Sequence, residues 1–250
     1  MDAPFRLDGK SALVTGAGRG LGRGIAVALA AAGAEVVLNS RTAAELEVAA
    51  AEIAAAGGAA RVLAFDVTDP AAVRTAFAGI ERLDILVNNA GLNRPQPFLD
   101  VDEATLDRLI DLNIRALFRV AQAGARLMVE AGGGVIVNVS SQMGHVGSEL
   151  NRSAYVMTKH AVEGLTKAMA VELAPKGVRV VSIAPTFIMT AMTRPFLDNP
   201  DFSKWVHDRI PLGRLGTVEE VGHAVVFLAS PAAALITGSS LLADGGWTAW

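Results

Sequence analysis

Short apolar runs alternate along the chain with longer stretches of helical periodicity. Residues 10–15, 35–38, 61–65, 83–87, 135–139, 178–183 and 240–243 are four- to six-residue blocks rich in Val, Ile, Leu and Ala, the pattern of strands buried on both faces. Helices are predicted between them. One spans 25–32 and ends at Gly33, and a charged, alanine-rich one spans 42–56 and stops at Gly57-Gly58. A third opens at Asp69-Pro70 in cap-then-proline order. Two more cover 103–113 and run on to Glu130, followed by 153–173 and 217–228. Regular strand–helix alternation predicts a single α/β domain, a right-handed, doubly wound parallel sheet with helices on both faces. No repeat or linker interrupts it.

Composition narrows this picture. At 250 residues the chain suits one large domain and can bury a substantial core. Hydrophobic residues make up 52%, so a membrane span has to be considered, but the longest uncharged run, 224–243, is broken by Ser230-Pro231 and by Thr237-Gly-Ser-Ser240. The net charge of -3 points away from nucleic acid. The absence of cysteine excludes disulfides and thiolate metal sites and fits a cytoplasmic setting. The opening Met1-Asp-Ala-Pro-Phe-Arg6 carries neither the basic nor the apolar stretch of a secretion signal.

Candidate chemistry begins with Gly16-Ala-Gly-Arg-Gly-Leu-Gly22, which follows a strand and opens a helix at the head of a βαβ unit. Glycines there let the backbone approach a pyrophosphate, and the helix N-terminus offers free N–H groups and a positive dipole end. Selectivity for the dinucleotide is set at the end of the second strand. An acidic residue there would hold a ribose 2′-hydroxyl, but this chain has Asn39-Ser40-Arg41, with Arg19 nearby in the loop. A hydroxyl and two guanidiniums suit a 2′-phosphate, so NADP(H) is the expected cofactor and NAD(H) the alternative.

Tyr155-Val-Met-Thr-Lys159 contains the only tyrosine of the chain. On a helix, positions four apart share a face with Cβ atoms about 5–6 Å apart. A free phenol titrates near pKa ~10, and an adjacent ammonium favours its ionised form.

Taken in order, Thr15-Gly-Ala-Gly-Arg-Gly-Leu-Gly22, Asn88-Asn-Ala-Gly91, Asn113, Ser140-Ser141, Tyr155-x-x-x-Lys159, Pro185 and Asp244-Gly245-Gly246 resemble the motifs of the classical short-chain dehydrogenase/reductase family over essentially the whole chain. The chain resembles gluconate 5-dehydrogenase-like and 3-oxoacyl-carrier-protein reductase-like members of that family. The resemblance implies a seven-stranded Rossmann-like sheet and pro-S hydride transfer between nicotinamide and an alcohol or carbonyl carbon. Tyr155 would serve as acid/base, with Lys159 lowering its pKa and holding the nicotinamide ribose. Ser141 would bind the substrate oxygen, and Asn113 would hold a water linking Lys159 to solvent. Gly16, Arg19, Gly20, Leu21, Gly22, Ser40 and Arg41 would meet the phosphates and ribose. Asp66 and Val67 would meet the adenine, Asn89, Ala90 and Gly91 would flank the cofactor, and Pro185, Ile188 and Thr190 would lie at the nicotinamide.

Two departures mark the substrate side. Ser141 to Tyr155 is one position longer than the family's usual spacing, which implies an insertion within 147–152, and Thr186 stands where a glycine is usual. Gln142, His145, Arg152 and Thr186 are candidate substrate contacts, and Asn93, Arg94, Glu149 and Asn151 add to a polar, partly basic mouth. That set suits a polyol, sugar or sugar acid. A lid is expected over about 187–216, with Met189, Met192, Phe196, Trp205 and His207 as its contacts. Trp247 and Trp250 are read as anchors of a homotetramer interface. The four histidines show no metal-site spacing. A 3-oxoacyl-carrier-protein reductase and a non-catalytic cofactor-binding sensor are the rival readings. The first would need a basic entrance, for which Arg115, Arg119 and Arg126 are the candidates.

Overall fold

A computed structural model describes residues 3–190 and 193–249. Met192 and Trp250 lie outside them, as does the side chain of Phe196. Seven strands form one wholly parallel sheet in the order β3-β2-β1-β4-β5-β6-β7. The strands are β1 (Ser11–Thr15), β2 (Glu35–Asn39), β3 (Ala59–Val62), β4 (Ile85–Asn88), β5 (Gly134–Val139), β6 (Val178–Pro185) and β7 (Ser240–Ala243). Helices α1 (Gly20–Ala31), α2 (Ala43–Ala55) and α9 (Val218–Ala229) bury one sheet face. On the other face lie α3 (Pro70–Ala78), α4 (Glu103–Ile110), α5 (Leu117–Glu130) and α6 (Ser153–Leu173). Alternate residues of one strand serve opposite cores, as Leu13 and Val14 show, which is why the strands read as continuous apolar runs. The doubly wound α/β expectation holds. No described helix is long and apolar enough to cross a membrane.

Three boundaries differ from the sequence reading, each for a tertiary reason. β3 starts at Ala59 instead of Arg61, because pairing with β2 (Glu35 to Ala59, Leu38 to Val62) sets an edge strand whose own pattern is weak. Helix α1 begins at Gly20, five residues early, although glycines are poor helix formers. Close packing demands them: a Cβ on Gly22 would lie 2.2 Å from the Gly16 carbonyl oxygen, and one on Gly24 1.9 Å from Val218. The two helices expected over 103–130 are one continuous run with a π-helical turn over Asp111–Ala116 at its middle, surrounding Asn113.

Segment 187–216 holds two helices that the reading left out, α7 (Arg194–Leu197) and α8 (Pro200–Arg209). The signal for α8 was available. Asn199-Pro200 repeats the cap-then-proline order of Asp69-Pro70, and the Asn199 carboxamide oxygen accepts from the N–H groups of Asp201 and Phe202 at 3.0 and 3.1 Å.

Candidate active site

The glycine loop turns at the carboxyl end of β1, beside the point where the strand order reverses between β1 and β4. Ligand crevices form at such switch points. Gly16 has φ +67°, and a Cβ there would stand 2.9 Å from the Asn89 side chain. The loop is tied to the end of β4. The Thr15 hydroxyl accepts from the N–H groups of Asn89 and Ala90 at 3.0 Å each, and Asn89 Nδ2 donates to the Thr15 and Gly16 carbonyls at 2.9 and 3.3 Å. Arg19 caps α1 without a side-chain bond, so the first N–H groups of the helix, from Gly20 through Leu21 and Gly22, face the crevice with its positive dipole end. These features fit a dinucleotide pyrophosphate.

At the end of β2, Asn39 Nδ2 bridges to the carbonyls of Leu63 and Phe65, so this residue is structural. Ser40 and Arg41 follow at the rim. The Arg41 side chain is 79% exposed and reaches only 4.0 Å from Asp66, and Arg19, 77% exposed, lies 4.0 Å from Glu45. Neither long contact commits a guanidinium, so both can turn toward a 2′-phosphate. Asp66 is held in turn by Thr68, whose N–H and hydroxyl donate at 2.8 and 2.7 Å, and Val67 is buried beside it.

Tyr155 and Lys159 lie on the first two turns of α6. The Lys159 ammonium is 5.6 Å from the centroid of the phenol ring and donates to the Val139 carbonyl at 2.9 Å. Burial pushes its pKa down from 10.5 to about 8, opposed by the Glu163 carboxylate one turn on. Burial pushes the Tyr155 phenol up, opposed by the Ser141 hydroxyl and the Arg152 charge. Gly91 sits between Lys159 and Asn113. A Cβ there would be 3.3 Å from Asn113 Oδ1 and 3.9 Å from Lys159 Nζ. The Asn113 carboxamide oxygen accepts from the Leu92 N–H at 2.9 Å, and its nitrogen donates to the Leu92 carbonyl and to Thr158 at 2.9 and 3.1 Å. Asn113 lies within the π-helical turn, where the hydrogen-bond ladder is dislocated.

On the substrate side, Ser141 ends the β5 loop with its hydroxyl accepting from the Met143 N–H at 3.2 Å. A cleft of about 260 Å³ opens between the 143–149 loop and α8, lined by Met143, Glu149, Trp205, Arg209 and Trp247 among others. Phe187, Phe202, Trp205 and Trp247 form a cluster with ring centroids 5.6–6.0 Å apart. The Glu149 carboxylate accepts from Trp205 Nε1 at 2.8 Å and from Arg209 at 2.5 Å, tying the loop to α8.

The sequence matches the family described as enoyl-(acyl carrier protein) reductase over residues 16–248. It is 44% identical to galactitol 2-dehydrogenase (L-tagatose-forming) of Cereibacter sphaeroides, covering 98% of both chains, and 44% identical to L-xylulose reductase of Bos taurus, covering 98% of this chain and 99% of that one. A solved gluconate 5-dehydrogenase from Burkholderia cenocepacia, in complex with NADP and tartrate, superposes with a TM-score of 0.95 at 39% identity over 99% of this chain and 98% of that one. The chain is a short-chain dehydrogenase/reductase. It is accordingly an NAD(P)-dependent oxidoreductase acting on alcohol and carbonyl groups.

Within this dehydrogenase frame the structure brings most expected site residues to one crevice and redirects three. His145 does not turn to substrate. Its Nε2 meets Ser240 at 3.0 Å and Glu163 at 3.3 Å, where a buried carboxylate and a strand hydroxyl offer better partners than solvent. The side chain of Ile188 packs in the core beside Gly216, leaving only its backbone for a nicotinamide. Trp247 is covered by segment 187–216 of its own chain, where Phe187 and Trp205 supply the aromatic partners. Pro185 is buried at the end of β6, and Thr190 approaches Gly20 across the crevice, its methyl about 4.0 Å from where a Cβ would stand. Sequence reading missed Phe202 and placed Glu149 at the mouth as a free polar group. The apolar spacing of Phe202, Trp205 and Val206 on one helix turn was the usable signal.

Proposed function

We propose that the enzyme interconverts a secondary alcohol and a ketone on a small polyhydroxylated substrate, a polyol, sugar or sugar acid, using NADP(H). The observation that carries this reading is the convergence of Tyr155, Ser141 and Lys159 beside Gly91, at the open end of a glycine-loop crevice whose rim carries arginines and no acid in the selectivity position. The nicotinamide supplies or accepts the hydride. Reduction builds negative charge on the substrate oxygen, where the Tyr155 phenol delivers a proton and the Ser141 hydroxyl donates a hydrogen bond. Lys159, held by the Val139 carbonyl, keeps positive charge close to the phenol ring and reaches toward the ribose hydroxyls. Asn113 positions this pair by fixing the Leu92 turn and Thr158. The NADP-bound gluconate dehydrogenase and the galactitol and xylulose enzymes support both the cofactor and the substrate class.

An acyl-carrier substrate has little support. Of the candidate basic strip, Arg115 pairs with Asp111 at 3.2 Å and Arg119 donates to the Thr68 carbonyl at 3.4 Å. We further propose a cytoplasmic homotetramer. Phe118 on α5 and Leu99 before α4 are exposed apolar side chains of the kind that subunit contacts cover, at 49% and 91%. Sedimentation as a stable monomer would overturn the tetramer.

The test of the function is a paired fluorescence titration with NADPH and NADH, followed by turnover measurements on polyols, ketoses and sugar acids. Tighter NADPH binding with turnover of one of these classes is expected. Preference for NADH, or turnover confined to acyl thioesters, would overturn the reading.

A further inference from the structure

Two arginines of the described chain are substantially buried away from any carboxylate, Arg152 and Arg179, and burial lowers the pKa of each. Arg179 is satisfied: its two terminal nitrogens donate to the carbonyls of Ile236 and Leu228 at 3.0 and 2.9 Å. Arg152 is not. Its Nε is removed from solvent with no hydrogen-bond partner, and Nη1 reaches only the Met143 sulfur at 3.9 Å. The guanidinium lies 5.3 Å from the centroid of the Phe187 ring, and among the described residues no carboxylate pairs with it. The acid nearest in sequence, Glu149, is committed to Arg209 and Trp205.

The guanidinium is half-buried and its enclosed Nε lacks a partner, an unfavourable arrangement for a cation that calls for a ligand. The chain also places the side chain deliberately. Asn151 takes a left-handed backbone conformation (φ 53°), the only non-glycine described residue to do so. Its carbonyl accepts from the Gln96 N–H at 2.8 Å, which pins the turn that aims Arg152 inward. Arg152 stands three residues before Tyr155, close enough for its charge to act on the phenol. Two further polar atoms adjoin its two neighbours, Met143 and Phe187. Gln142 Oε1, on a side chain only 1% exposed, and Thr186 Oγ1 are both buried and unpartnered. A planar fork of N–H donors with an unpartnered nitrogen matches a carboxylate.

Resting on the oxidoreductase reading above, we propose that Arg152 is the specificity-determining residue of the substrate site and that the preferred substrate is anionic. It is a sugar acid whose carboxylate pairs with the Arg152 guanidinium. Neutral polyols lack the group that would neutralise the cation and bind poorly.

The test uses D-gluconate and its neutral counterpart D-glucitol as probes of the full chain. Turnover with NADP+ is measured for wild type, Arg152→Gln, Arg152→Lys and, on α3 away from the crevice, the exposed Arg74→Gln. Calorimetric titration of both probes into the NADPH-loaded enzyme reports binding even where turnover is absent. The wild type is expected to favour the acid about 100-fold or more in kcat/KM and in affinity. Arg152→Gln should collapse that ratio through KM, and Arg152→Lys should restore part of it. Arg74→Gln should leave the ratio in place. Equal binding of glucitol and gluconate by the wild type would overturn the proposal, as would a ratio that survives Arg152→Gln or falls instead in Arg74→Gln. Failure of the broader reading is distinguishable: gluconate would then bind through Arg152 without being oxidised.

Discussion

The cofactor half of the crevice and its substrate half are built in opposite ways. Around β1, β2 and β4, polar groups are tied to backbone: Asn89 to Thr15 and Gly16, Asn39 to Leu63 and Phe65, Asp66 to Thr68. Around residues 140–152 and 186, buried polar atoms without partners gather on Ser140, Gln142, Arg152 and Thr186. The cofactor half keeps two such atoms as well, Asn39 Oδ1 and Asn88 Oδ1, but its ties to backbone hold it rigid around one ligand. Unsaturated groups have to be completed by whatever binds, and a substrate lacking the matching group leaves them unpaired. The contrast separates generic chemistry from individual specificity. It teaches where in this enzyme substitutions should be silent toward substrate choice and where they should change it.

The harshest test of the shared half is Tyr155→Phe, which removes the proton donor and should lower kcat by roughly 10³-fold in steady-state turnover. Activity within tenfold of wild type would mean the phenol is not the acid. Next comes Lys159→Met. Because the folded pKa, about 8, lies below the ordinary 10.5, the unfolded chain binds the extra proton between those values. Stability from this group therefore rises with pH from about 8 to 10.5, and below 8 the buried ammonium is a constant penalty. Relative to wild type, Lys159→Met should gain at most ~3 kcal/mol at pH 7, a lead that shrinks across that window in denaturant titrations. A constant gap would show that the ammonium is solvated.

At the rim of the cofactor half, Arg41→Ala should close the NADPH-over-NADH affinity gap by about tenfold, or ~1.4 kcal/mol, in fluorescence titration. No change would mean that Arg41 serves only Asp66. The smallest effect belongs to the tie between Glu149 and α8. Glu149→Gln keeps a weaker acceptor for Trp205 and Arg209, so KM should rise by only about twofold with the melting temperature unchanged, because exposed ion pairs contribute little. A large fall in kcat would give this tie a role in closing a lid.

Much of the molecule was legible before folding. Buried strands of a parallel sheet advertise themselves as apolar blocks, and helices as periodic stretches, because each is set by its immediate neighbours in sequence. The glycine loop, Tyr155 and Lys159 were readable for the same reason, as contiguous motifs whose chemistry depends on spacings of a few residues. Tertiary contacts decided the rest. Gly22 and Gly24 are helical against their propensity because the Gly16 carbonyl and Val218 press on them. His145 is drawn to Glu163 and Ser240, which lie 18 and 95 positions away in the chain. Trp247 meets Trp205 of α8. Arg152 was visible as one basic residue in a polar loop. Only the folded chain shows that its guanidinium lies over Phe187 with an unpartnered nitrogen, because pairing is a property of everything that surrounds a charge and not of its place in the chain.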